Sequence, residues 1–165
     1  MDWSVLIKIT HLVGTALGVG GATLAEVFYL KCLKDGQVDP TESDLLKTIY
    51  LVLRIGLVLL VLSGFGYLVF YRLAGLEMYL YSSRLWAKLT ITLTLLLGVA
   101  AWQAKLVSAK IGGGLSLASW YAALILGAWR LPASISYWQI MAVYFLLAMA
   151  VTVVLALIRK LAGVK

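Results

Sequence analysis

Four ionisable side chains, His11, Glu26, Arg54 and Lys88, lie within long apolar stretches of the sequence. A charged group near the middle of a bilayer costs roughly 2.5–3.5 kcal/mol on insertion scales, whereas one apolar residue returns only about 0.3–0.6 kcal/mol. Each of the four should therefore face the interior of a helical bundle and meet a partner or a bound molecule there. The chemistry they suggest is ligation of a metal cofactor by the imidazole, anion binding by the cations, or relay of a proton.

Glu26 and Arg54 have the spacing of an ion pair between neighbouring helices. Glu26 lies about seven residues before the end of the first apolar stretch, and Arg54 lies about seven residues after the start of the second. At a rise of about 1.5 Å per residue, an antiparallel helix pair brings the two charges to one depth. Two interpretations stay open: a structural pair that fixes helix register, and a proton or anion relay.

His11 begins a narrow stripe of small residues along the first helix. Gly14, Gly18, Ala22 and Glu26 all fall within about 60° of it at roughly 100° per residue. Small residues in this spacing let another helix, or a flat ligand, approach the backbone closely. His11 is therefore a candidate metal ligand. The alternative is close helix packing, with the imidazole hydrogen-bonded to a neighbouring hydroxyl.

Lys88 lies near the start of the third apolar stretch, about one helical turn below the membrane surface from which the first helix also starts. Its long stem allows the ammonium to reach the headgroups. Turned inward, the same stem reaches the level of His11. The sequence thus places His11 and Lys88 at compatible depths.

The composition indicates the elements that hold these residues. Hydrophobic residues make up 63% of the 165-residue chain and charged residues 13%, whereas a soluble domain carries about 25% charged residues. Long apolar runs favour helices, and the weak period-two alternation argues against a β-barrel. We expect an all-α integral membrane protein in a lipid bilayer, a single domain over residues 1–165. Its architecture should be a bundle of about five transmembrane helices, a four-helix core plus one.

The predicted helices cover about 3–33, 40–72, 85–109, 116–130 and 136–161. Asp39-Pro40-Thr41-Glu42 is typical of a helix start, with an acceptor at the cap, Pro next and an acid two positions later. Gly112-Gly113-Gly114 is expected to break the chain before a fourth helix capped by Ser116. Ser134 or Ser136 should cap the fifth helix.

The basic residues lie at helix ends rather than in one patch, so membrane topology explains the net charge of +7 better than a nucleic-acid partner does. Their distribution predicts a multi-pass protein of the cell (inner or plasma) membrane, with the N-terminus outside and the C-terminus cytoplasmic. The first helix lacks a basic leader and is too long for a signal peptide, so we expect it to be retained. The basic residues assigned to the cytoplasmic side are Lys31, Lys34, Lys47, Lys105, Lys110, Arg159, Lys160 and Lys165. Those assigned to the outer side are Lys8, Arg72, Arg84, Lys88 and Arg130.

Two short motifs carry a resemblance to known proteins. The segment 7–14, Ile-Lys-Ile-Thr-His-Leu-Val-Gly, resembles the first helix of a superfamily that includes the four-helix bacterial protoporphyrinogen oxidases (the HemJ type) and the copper-resistance D membrane domains. The segment 86–89, Trp-Ala-Lys-Leu, resembles a second motif of the oxidases near the start of helix 3. The resemblance covers roughly residues 5–110 and implies a haem b associated with His11 and a functional requirement for Lys88.

Three functions follow as alternatives. The first is a membrane haem b or porphyrin protein, with an oxidoreductase role and a porphyrin or quinone as partner. In this function His11 would be the axial ligand, and Gly14 and Gly18 would leave room for the macrocycle. Lys88 would be a second ligand, or a contact to a propionate or to the substrate, and Arg54 would be an anion partner.

The second function is a small homo-oligomeric transporter or channel subunit whose Glu26 and Arg54 line an ion or proton path, because intramembrane charges mark such paths. The third is a structural or accessory subunit in which the charges only set helix register. If the protein is an enzyme, His11 and Lys88 are the expected catalytic residues of a porphyrinogen oxidase-like reaction.

Overall fold

The computed structural model describes residues 2–32, 39–107, 109–129, 132 and 134–161, and of residues 109 and 110 only the backbone. These residues form the helices α1 (Trp3–Cys32), α2 (Pro40–Leu73), α3 (Ser83–Gln103), α4 (Ala109–Ala128) and α5 (Tyr137–Leu161), with a short 3-10 turn over Glu77–Tyr79. No strand occurs among them.

All five of these α-helices are long and apolar enough to cross a membrane. Large apolar side chains remain exposed on each of them, far beyond what a soluble monomer tolerates in one place; examples are Leu12, Leu62, Phe65, Leu97, Ile125 and Phe145. Lipid is the solvent that suits such a surface. The expected all-α membrane bundle is therefore confirmed, and the chain is a multi-pass integral membrane protein.

Helix starts follow the local sequence. At α2 the backbone N–H of Asp39 donates to the carboxylate of Glu42 at 3.1 Å, the reciprocal half of a capping box with Pro40 next in the chain. At α5 the backbone N–H of Ser136 donates to the side-chain oxygen of Gln139 at 2.9 Å, and Gln139 N–H donates back to Ser136 Oγ at 3.3 Å. Of the two serines considered, Ser136 is the one that caps α5.

The region between α3 and α4 differs from the prediction. Helix α3 ends at Gln103, not at residue 109, because Lys105 adopts a left-handed conformation with φ +58°. The N–H of Leu106 then bonds to the carbonyl of Ala101 at 2.9 Å, which closes the helix end in the manner usually provided by glycine. The predicted ends at Leu33 and Arg130 lie outside the described residues.

The glycine triplet does not break the chain but lies inside α4. A Cβ atom on Gly113 would overlap the carboxylate of Glu26 in α1, and one on Gly114 would lie 3.0 Å from the Cα of Thr152 in α5. The predicted break was wrong because these glycines bring α4 close to two neighbours, as small residues commonly do in membrane helices.

The packing order of the helices leaves a cleft. Helix α1 packs against α2 and α4, α4 also packs against α3 and α5, and α3 packs against α5. Helices α2 and α3 are not among these closely packed pairs. Instead they face each other across a cleft whose floor is formed by α1 and α4, and two cavities lie along it.

Candidate functional site

The larger cavity, here the His11 cavity, lies where α1 and α3 begin and α2 and α4 end. It has a volume of about 740 Å³. Apolar side chains form most of its wall, and its polar groups include Lys8, His11, Tyr67, Tyr71, Arg84 and Lys88. The smaller Arg54 cavity, of about 130 Å³, lies toward the opposite end of the cleft, and its polar groups include Glu26, Tyr29, Tyr50, Arg54, Thr94 and Ser116.

His11 is held by Ser63 of α2. Its Nδ1 lies 2.9 Å from Ser63 Oγ, and that hydroxyl in turn donates to the carbonyl of Leu59 at 2.6 Å. In the tautomer that carries the proton on Nδ1, Ser63 accepts from Nδ1–H while its own proton lies on the carbonyl, and the Nε2 lone pair is left for a ligand. The ring of Tyr67 meets the imidazole edge to face, with centroids 5.5 Å apart. The hydroxyl contact weighed as the alternative for His11 is thus present, and it is compatible with ligation.

Lys88 lines the same cavity as His11. Two further cations that sequence analysis treated only as topology markers, Lys8 and Arg84, also line it. Arg84 is positioned by the C-terminal end of α4, because its guanidinium donates from Nε to the carbonyl of Leu126 at 2.8 Å and from Nη2 to that of Gly127 at 2.9 Å. Free carbonyls at a helix C-terminus attract such a cation.

The charge balance of the His11 cavity is one-sided. Three cations line it, and no Asp or Glu is found among the described residues that do so. Clustered cations with low-dielectric walls attract an anion. The cavity therefore suits a ligand with an apolar body and negatively charged groups.

Glu26 lies at the other end of the bundle, and its predicted partner was wrong. Its Oε2 accepts a hydrogen bond from Nη2 of Arg159 in α5 at 2.7 Å, and these side chains are only 10% and 5% exposed. The ion pairs among the described residues are this one, Arg72–Glu77 and Lys47–Asp44. Arg54 lines the cavity beside Glu26 without joining the pair.

Rotation about the axis of α2 explains why Arg54 does not meet Glu26. Gly56 of α2 faces α1. Arg54 lies two positions earlier, so its side chain is rotated by about 200° around the helix axis relative to Gly56, at about 100° per residue. The equal depth of Glu26 and Arg54 therefore did not ensure contact between them.

Arg159, the observed partner of Glu26, also lies over the ring of Tyr29, with 5.3 Å between its Cζ atom and the ring centroid. The relay function assigned to Glu26 and Arg54 stays a prediction.

Gly14 and Gly18 contact helices rather than a cavity. A Cβ on Gly56 of α2 would lie 2.9 Å from the Gly18 nitrogen and 3.0 Å from the Gly14 carbonyl oxygen, so the two backbones touch. Gly18 also receives the indole of Trp120 from α4. Neither Gly14 nor Gly18 lines the His11 cavity or the Arg54 cavity. Of the two uses proposed for this ridge, close helix packing is the one observed.

The comparisons with known proteins leave the family open. No family model, no curated protein and no solved structure matches the chain. The function therefore has to be inferred from the two cavities and from the charged groups that line them.

Proposed function

We propose that the protein binds haem b, or a closely related porphyrin, in the His11 cavity. The observation that carries the proposal is the combination of an oriented imidazole with three cations in a cavity that no described acidic residue lines. Its volume of about 740 Å³ lies within the range of about 300–1,000 Å³ that is usual for small-molecule sites.

The chemistry of the donor set fits such a ligand. A metal-ligating histidine almost always donates its other ring N–H to a fixed acceptor, which sets the tautomer, and Ser63 is in position to serve His11 in this way. The described residues contain no group of three or more His, Cys, Asp or Glu side chains that could hold a bare metal ion. A haem iron is held by its macrocycle, so the protein needs to supply only one or two axial ligands.

We assign the residues as follows. His11 would hold the iron through Nε2. Lys88, together with Lys8 and Arg84, would neutralise the two propionates, because the three cations line one cavity and an ammonium or guanidinium binds carboxylates well. Apolar residues such as Leu89 and Phe65, which line the cavity, would cover the macrocycle and exclude water. When bound, the haem would supply one-electron redox chemistry.

Absorption of the protein purified from haem-replete cells tests this assignment. We expect a Soret band that responds to dithionite and that His11→Ala removes, because the axial bond is lost. The matched control is Thr10→Ala, which should keep the band, because the Thr10 hydroxyl donates to the carbonyl of Leu6 in its own helix at 2.9 Å. A colourless wild-type preparation, or an unchanged band in His11→Ala, would contradict the proposal.

Ser63→Ala provides a finer test. Loss of the hydroxyl frees the imidazole to rotate and change tautomer, so haem affinity should fall roughly 10–100-fold while the band keeps its position. Titration of the haem-free protein with haemin measures this. Thr48→Ala is the control, because Thr48 makes a similar bond to the carbonyl of Asp44 in α2 at 3.0 Å but lies outside the cavity. Equal affinities for both variants would rule out a positioning function for Ser63.

The transporter alternative finds less support in the packing. Glu26 is engaged by Arg159 rather than exposed along a path. No described residue lines both cavities. Flux in liposomes that changes with Glu26→Gln, from a protein without any chromophore, would favour transport over haem binding.

A further inference from the structure

The Arg54 cavity has no part in the proposed haem site. Its volume of about 130 Å³ corresponds to roughly ten water-sized units, at about 10–15 Å³ for each. That is the size of a compact head group rather than of a porphyrin. The rings of Tyr50 and Trp102 form a tilted aromatic pair on its wall, with centroids 4.6 Å apart.

The charges around this cavity do not cancel. Glu26 is the acidic side chain among the described lining residues, and Arg159 already engages it at 2.7 Å. Arg54, on the α2 wall, has no ion pair among the described residues. An arginine within a membrane span is costly unless it meets an anion or reaches water. Among the described residues, the Glu26–Arg159 pair is neutral and the charge of Arg54 is therefore in excess.

We propose that the Arg54 cavity binds the carboxylate of a small or single-chain organic acid through the Arg54 guanidinium. The planar fork of arginine suits a carboxylate, because two parallel N–H groups can meet its two oxygens. Tyr50 and Trp102 would flank the head group. Glu26, which also lines the cavity, would keep its ion pair with Arg159.

The shape of the cleft favours an acid that arrives from the bilayer. Helices α2 and α3 are not closely packed, and a Cβ on Gly98 of α3, which lines the cavity, would meet nothing within 4 Å. An acyl chain can leave the cavity between these helices and lie against lipid. A short water-soluble acid has the same head-group chemistry, and the experiment separates the two sources.

The test is native mass spectrometry of the full chain released from detergent, with palmitate, methyl palmitate or acetate added. We expect a one-to-one palmitate adduct on the wild type and on Lys88→Gln, which removes a cation from the other cavity. The adduct should fall at least about tenfold in Arg54→Gln and by less in Arg54→Lys, which keeps the charge but loses the two parallel N–H groups. Methyl palmitate, which lacks the charge, should not bind.

Retention of acetate in place of palmitate would support the same site with a soluble ligand. Equal binding of palmitate and methyl palmitate to the wild type would overturn the proposal, and so would an absence of any acid adduct. These results do not depend on whether Arg54→Gln folds. They are also independent of the Soret band, so either proposal can fail alone.

Discussion

Gly56→Ala is expected to lower the free energy of unfolding by about 2 kcal/mol, within the 1–3 kcal/mol typical of overpacking. The new methyl group would lie 2.9 Å from the backbone nitrogen of Gly18 and 3.0 Å from the carbonyl oxygen of Gly14. Backbone atoms on both sides cannot rotate away as a side chain could, so α1 and α2 must separate along their contact. Reversible unfolding in mixed detergent micelles measures the loss.

Gly64→Ala is the control for this prediction, because it makes the same change in the same helix at a position where a Cβ meets nothing within 4 Å. Its effect should stay within about 0.5 kcal/mol, as for most substitutions that touch no neighbour. Equal losses for the two variants would mean that α1 and α2 are not in backbone contact at Gly56.

Glu26→Gln should have a still larger effect, a loss of about 3–5 kcal/mol, because it breaks a buried ion pair by removing one partner. Arg159 keeps its charge in a place where it is only 5% exposed, and the amide that replaces the carboxylate offers no opposite charge. The same micelle unfolding assay reports this loss.

The matched control for Glu26→Gln is Asp44→Asn. Asp44 forms an ion pair with Lys47 at a similar distance, 2.8 Å, but these side chains are 74% and 72% exposed. Exposed pairs contribute at most about 1 kcal/mol, so this variant should unfold almost as the wild type does. Comparable losses at Glu26 and Asp44 would show that burial of the Glu26–Arg159 pair is not what stabilises the bundle.

The fold could be predicted because the solvent restricts it so strongly. Apolar stretches of sufficient length in a bilayer must be helices, and the charges within them must turn inward. Depth along the helices also brought His11 and Lys88 to one cavity, since α1 and α3 start from the same end of the bundle. This placement needed only the rise per residue and the order of the helices.

Contacts that depend on rotation about the helix axes could not be predicted in the same way. The partner of Glu26 was missed because Arg159, next to Lys160 at the end of α5, was interpreted as a topology charge. A signal was present, since Arg159 extends the buried stripe of Tyr144, Ala148 and Leu155 at helical spacing. The haem, the quinone partner, the homo-oligomer and the orientation of the termini stay predictions.

The glycine triplet shows a second reason why parts of the structure could not be predicted from the sequence. In water, three consecutive glycines disfavour a helix, and residues 112–114 were accordingly expected to break the chain. In a membrane bundle the same residues permit close approach, as the contacts with Glu26 and Thr152 demonstrate. Local sequence does not state which neighbour will approach, so the two outcomes cannot be separated before the helices are packed.

The most direct test of the bundle's interior is a pair of double-mutant cycles that ask which arginine meets Glu26. One combines Glu26→Gln with Arg159→Met, and the other combines it with Arg54→Met, each followed by unfolding in micelles. We predict a coupling energy of about 1–3 kcal/mol with Arg159 and less than about 0.5 kcal/mol with Arg54. Stronger coupling to Arg54 than to Arg159 would contradict the helix arrangement and both proposed sites with it.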